Sequence, residues 1–172
     1  MFADRFGNEE IMIHSPPENI DLTLTRVGEF DDSGAYFGID GESTYSEAPG
    51  ARRYVLRYAR LADTRKAGVA IEIITETLKD PRIDSATRVR LTEALEVAET
   101  IGGPVHYMDF DETPMVASAK RLGYDAVRVA ENDDFPGSAS SVFVINIACI
   151  TPLEALPDDL PKTAGLSRVC SR

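Results

Sequence analysis

The chain has 172 residues, 43% apolar and 27% charged, enough for one domain that buries a core without covalent staples. Its 29 acidic and 18 basic side chains leave a formal charge of −11, which opposes binding to nucleic acid through the general field and favours solubility or a basic partner. It holds no apolar run of about 18 residues, and Met1–Phe6 lacks a basic start and an apolar stretch, so no membrane span, no signal peptide and a cytoplasmic location are expected.

In chain order, Met12-Ile13-His14 predicts a short strand stopped by Ser15-Pro16-Pro17. Leu22 to Val27 alternates with Thr and Arg as an edge-like strand. Asp31-Asp32-Ser33-Gly34 predicts a turn, followed by a brief aromatic strand Ala35-Tyr36-Phe37-Gly38. Ser43 to Gly50 reads as loop. Tyr54, Leu56 and Tyr58 then alternate with Arg53, Val55 and Arg57, the period of a strand.

The middle is helical. Ala67, Ala70, Ile71, Ile74 and Leu78 share one helical face, and Pro81 ends the run. Leu91, Ala94, Leu95, Ala98 and Ile101 form a second stripe, with Asp84 or Ser85 as cap and Gly102-Gly103-Pro104 as stop. A third helix is expected after Asp109, Asp111 and Glu112, with Thr113 as N-cap, Pro114 as its first residue and Gly123 as its left-handed end. Those three acids suit either a hard cation or the positive end of that helix.

Strands return at Ala126–Ala130 and Val142–Ile147, pairing as a hairpin across the acidic stretch from Glu131 to Gly137. Pro152–Leu156 reads as a helical coda, and residues 157–172 as a loose tail after a single domain over 1–156. Strands, then helices, then strands predict an α+β fold. Cys149 sits in an apolar run and reads as core; Cys170 lies in the tail, and a disulfide between them stays open. With only His14 and His106, a histidine-rich metal centre is excluded, and no metal site is assigned.

There is no P-loop, no dinucleotide-binding glycine fingerprint and no nucleophile elbow. Three segments carry another pattern: Ile13-His14-Ser15, Gly34-Ala35-Tyr36-Phe37-Gly38, and Leu122-Gly123-Tyr124-Asp125-Ala126-Val127-Arg128-Val129-Ala130-Glu131 ahead of the strand ending at Asn146-Ile147. In this order they resemble the His-Tyr-Glu class of ADP-ribosyltransferases over roughly residues 11 to 150, carried by about twenty positions. The likeness is greatest to small phage-type members, which include an anti-CRISPR enzyme. It implies a split β-sheet core with a helical insert, and NAD as substrate.

By that resemblance Glu131 is the catalytic acid beside the ribose, Tyr36 packs on nicotinamide, His14 bonds the adenosine ribose, and Ser15 and Phe37 complete the NAD contacts. Asp133 and Asp134 compete with Glu131. The chemistry suits these types, since cleavage of the nicotinamide–ribose bond builds positive charge that a carboxylate stabilises. The implied acceptor is a protein, basic or nucleic-acid-binding. Ser15-Pro16 departs from the family's Gly-Thr or Gly-Ser, removing a backbone donor. Val129, two residues before Glu131, cannot engage an acceptor as Glu or Gln does in the other main class. Arg52, Arg53, Arg57 and Arg60 suit either a pyrophosphate or the solvent face of a strand. NAD hydrolysis without an acceptor, as in a toxin, and a non-catalytic acidic protein that covers a basic surface are the alternatives.

Overall fold

The computed structural model describes residues 9–14, 25–27, 30, 32–39, 51–131 and 140–153. They form an α+β fold. Strands β1 (Glu9–His14), β2 (Thr25–Val27), β3 (Asp32–Ile39), β4 (Arg52–Arg57) and β5 (Leu61–Asp63) precede helices α1 (Ala67–Thr77), α2 (Ser85–Thr100), α3 (Tyr107–Asp111) and α4 (Met115–Arg121). The chain closes with β6 (Ala126–Ala130), β7 (Ser140–Val144) and β8 (Ile150–Pro152).

Seven strands make a mixed sheet in the order β5-β6-β7-β3-β1-β4-β8, with β2 added on β3 outside that path. Among the described strands, β5 and β6 alone pair in parallel, because the helical segment lies between them and supplies the long crossover a parallel pair needs. The other pairings are antiparallel, including the predicted hairpin of β6 on β7.

Strand alternation sorts the apolar side chains to two faces. Val127, Val129, Phe143 and Ile145 join Ile73, Ile74, Leu91, Phe110, Met115 and Val116 in the core beneath the helices. Met12, Ala35, Phe37, Ile39, Leu56, Ala126, Val142 and Val144 form a second cluster. The alternate residues of β3, β6 and β7 thus separate cleanly, as a pleated strand requires.

The helix boundaries follow local chemistry. Asp84 accepts from the Thr87 amide at 2.7 Å and opens α2, as expected of that cap. Gly102 (φ 71°) follows its end and Gly123 (φ 80°) follows α4, both in the left-handed region.

Four expectations need correction. Asp32-Ser33-Gly34 is not a turn but the start of β3, paired with Val27, Arg26 and Thr25. Gly34 is required there by packing: a Cβ would overlap the Phe143 ring and lie 2.6 Å from the Val144 carbonyl oxygen. Asp109, Asp111 and Glu112 precede α4 as expected, but not as loop: Asp109 and Asp111 lie within a further helix, α3, with Glu112 at its C-terminal cap. Thr113 does not cap α4, since its hydroxyl instead donates to the Asp109 carbonyl at 2.7 Å, and Pro114 holds the cap position. Finally, Pro152 ends β8 rather than opening the coda, because pairing Thr151 with Val55 extends the sheet beyond β4; residues 154–156 of that coda lie outside the described residues.

The second helical stripe is also shallower than its sequence suggests: Leu91 and Ala98 are buried, while Ile101 is 79% exposed. Cys149 is buried in the second cluster, as expected. Cys170, the tail and the loop 43–50 lie outside the described residues. Among the described residues no helix is long and apolar enough to cross a membrane.

Candidate functional site

Tyr36 lies near the middle of β3, paired with Phe143 of β7, and its ring stands edge-on to Phe143 with centroids 4.9 Å apart. Alternation turns it to the helix-covered face. There its hydroxyl donates to Asp111 Oδ1 of α3 at 2.5 Å. The ring is therefore held at both ends, by an aromatic neighbour and by a charge-assisted bond.

Glu131 directly follows β6, on the same alternation as Val127 and Val129, and so on the same face as Tyr36. The Ser141 hydroxyl donates to its Oε1. Ser141 pairs with both Val129 and Gly38, which sets Glu131 two strands from Tyr36. Its charge acts on the Tyr36 hydroxyl.

The wall is α3. His106 caps that helix, its Nδ1 accepting from the Met108 amide at 3.3 Å, and bridges in parallel to Ala130 at the end of β6. The Ala130 amide donates to the Val105 carbonyl at 3.0 Å, which pins the start of α3 beside Glu131. Asp109 and Glu112 turn the other way, to Arg90 of α2, at 3.3 and 2.6 Å. The acidic trio thus divides: two members share the Arg90 guanidinium, and Asp111 alone reaches Tyr36.

The electrostatics follow from burial. Asp111 is raised above the usual carboxylate range by burial and by Glu112, against the lowering effect of the Tyr36 bond. Glu131 is raised by burial and by Asp111, with the His106 charge opposing. Burial, then the bond to Asp111, then the charges of Asp111 and Glu131 hold the Tyr36 phenol in its protonated form. The site is a half-buried pair of carboxylates around a fixed phenol, with an imidazole at its edge.

Of the residues singled out by sequence, Tyr36 and Glu131 come together. Phe37 does not join them; it is 1% exposed, on the opposite face, edge-on to Tyr54. His14 ends β1 with its backbone opposite Arg52, two positions after Met12 of the second cluster; its side chain is outside the described atoms. Ser15, Asp133 and Asp134 lie outside the described residues. Arg52 and Arg53 are exposed on β4, and Arg60 stacks over the Tyr124 ring at 4.5 Å.

Sequence reasoning missed Asp111 as a partner of Tyr36, and His106 and Ser141 beside Glu131. No local signal marks them: Asp111 lies 75 positions from Tyr36. No family model, curated protein or solved structure matches this chain.

Proposed function

We propose that this protein is a mono-ADP-ribosyltransferase that moves ADP-ribose from NAD to a protein acceptor. The observation that carries the reading is the convergence of Tyr36, Asp111 and Glu131 on one face of the sheet. The resemblance pairs Tyr36 with Glu131, and strand alternation gives both residues the same face.

Tyr36 offers a ring of fixed orientation against which a planar pyridinium can pack. Glu131 supplies negative charge that burial has partly desolvated and that His106 only partly offsets. Such a charge stabilises a ribose carbon becoming cationic more strongly than a solvated carboxylate does. In the transfer, the bond between the ribose carbon and nicotinamide nitrogen breaks, with both electrons leaving on nicotinamide. An acceptor heteroatom bonds that carbon, and its proton passes to Glu131. Asp111 holds the phenol and is a positioning residue. His14 and Ser15 keep the adenosine-side roles that the resemblance gives them. The acidic chain, at −11, favours a basic acceptor such as a nucleic-acid-binding subunit, of the kind a phage inhibitor of host defence would modify.

The test is incubation of the protein with labelled NAD and a cell lysate. Label transferred to one protein band supports the reading. Free ADP-ribose with no labelled band establishes NAD hydrolysis, the toxin-type alternative, instead. Absence of any NAD cleavage overturns both and leaves the non-catalytic acidic protein.

A further inference from the structure

A cleft lies at the β5 edge of the sheet. It encloses about 310 Å³ and is lined by Tyr58, Arg60, Asp63, Lys66, Tyr124 and Arg128, among others. Its charge runs against the molecule's. Arg60, Arg65, Lys66 and Arg128 set against Asp63 give a formal +3, inside a chain of −11. We propose that this cleft binds a small phosphate-bearing anion of pyrophosphate size, at a site separate from the Tyr36–Glu131 face.

The donors are of three kinds. Arg128 is 6% exposed in the body of β6, so its guanidinium acts with little solvent screening. Arg60 is held by the Tyr124 ring beneath it and by a 2.6 Å bond from Nη1 to the Leu122 carbonyl, which fixes its position before any ligand arrives. Lys66 stands at the start of α1, makes no side-chain capping bond, and precedes a first turn without acidic residues. The positive end of that 11-residue helix therefore adds to the lysine charge. Asp63 does not cancel this field, because both its oxygens are taken by Arg65 at 2.8 Å, which holds the carboxyl below its usual range.

The cleft is distinct from the candidate catalytic face. Arg128 and Glu131 lie on opposite alternations of the chain through β6, one toward the cleft and one toward Tyr36. The volume lies at the small end of ligand sites, which suits a compact polyanion rather than a whole dinucleotide. Phosphate oxygens suit guanidinium and ammonium donors together, and Arg60, Arg128 and Lys66 all line the cleft.

The test is calorimetric titration of the full chain with sodium pyrophosphate and, in parallel, with citrate as a carboxylate of similar charge. Saturable pyrophosphate binding that weakens with added salt, exceeds citrate binding and falls about tenfold in Lys66→Glu supports the proposal. Lys66 is exposed, so this variant should keep the fold, checked by circular dichroism. Arg128→Gln should abolish binding. Glu131→Gln should leave it unchanged, which separates this cleft from the catalytic reading whatever the outcome of the NAD assay. No saturable binding, equal binding of citrate, or binding insensitive to Lys66→Glu overturns it.

Discussion

Two acidic regions of this molecule are built in opposite ways. At the end of α1, Asp80 is almost fully buried, yet Arg82 binds both its oxygens, at 2.9 and 2.8 Å, and Arg121 approaches to 3.6 Å. Its carboxyl is held down at about 2, chiefly by Arg82. Glu76 nearby is likewise lowered by Lys79 and Arg121. In the Tyr36 site the half-buried carboxylates face a phenol, a hydroxyl and each other, and both are pushed up. The first arrangement spends its charges on holding two helices and a loop together. The second sets its carboxylates against neutral hydroxyls and a single imidazole, so their charge is less well compensated, which costs stability.

The contrast can be broken in four ways, in falling order of effect. Glu131→Gln removes the charge while keeping the shape, so NAD cleavage should fall by about 10²- to 10³-fold or more while the melting temperature holds or rises. Radiolabel transfer and thermal melts on one preparation check this; full activity in the variant would reassign the acid. Asp80→Asn should cost about 2–3 kcal/mol, because it removes the buried charge that Arg82 and Arg121 share and leaves the Arg82 amide with a poorer acceptor. Urea unfolding measures it, and NAD affinity should not move.

Gly34→Ala should cost about 1–3 kcal/mol, since the Phe143 ring that supports Tyr36 must shift. Unlike Asp80→Asn it should also raise KM for NAD, a split that a purely global destabilisation would not give. The smallest effect is in pH. Asp80, at about 2 when folded against 3.8 ordinarily, contributes stability present above 3.8 and lost as pH falls toward 2. Asp111 and Glu131 run the other way. Their folded values are raised, so the folded chain binds more protons and their contribution weakens as pH rises through those values. Asp111→Asn should therefore be closer to wild-type stability at pH 4 than at pH 7, and relatively more stable at neutral pH. Paired urea melts at the two values test the sign.

How much was legible in the sequence depended on range. The strand through Tyr36, the strand from Ala126 to Ala130 and the cap at Asp84 are local signals, and each stands where its pattern places it. Gly34 misled because glycine after Asp-Asp-Ser is turn chemistry by composition, whereas here it makes room for an aromatic ring from β7. Helix α3 was invisible because five residues, Tyr107 to Asp111, make little more than one turn, too short for a repeating pattern to show. Its capping by His106 and its bridge to β6 depend on contacts made elsewhere in the chain.

The amino-acid order alone determined the class of fold, the alternation that puts Tyr36 and Glu131 on one face once β7 joins their strands, and the excess of acid over base. Local periodicity and composition suffice for those, since each rests on residues a few positions apart. The tertiary structure alone decided which acids are neutralised and which are exposed to one another: Asp109 and Glu112 meet Arg90, Asp80 meets Arg82 and Arg121, and Asp111 meets Tyr36. Coulombic interaction and burial are properties of distance in space, and a carboxylate's surroundings are set when distant segments pack.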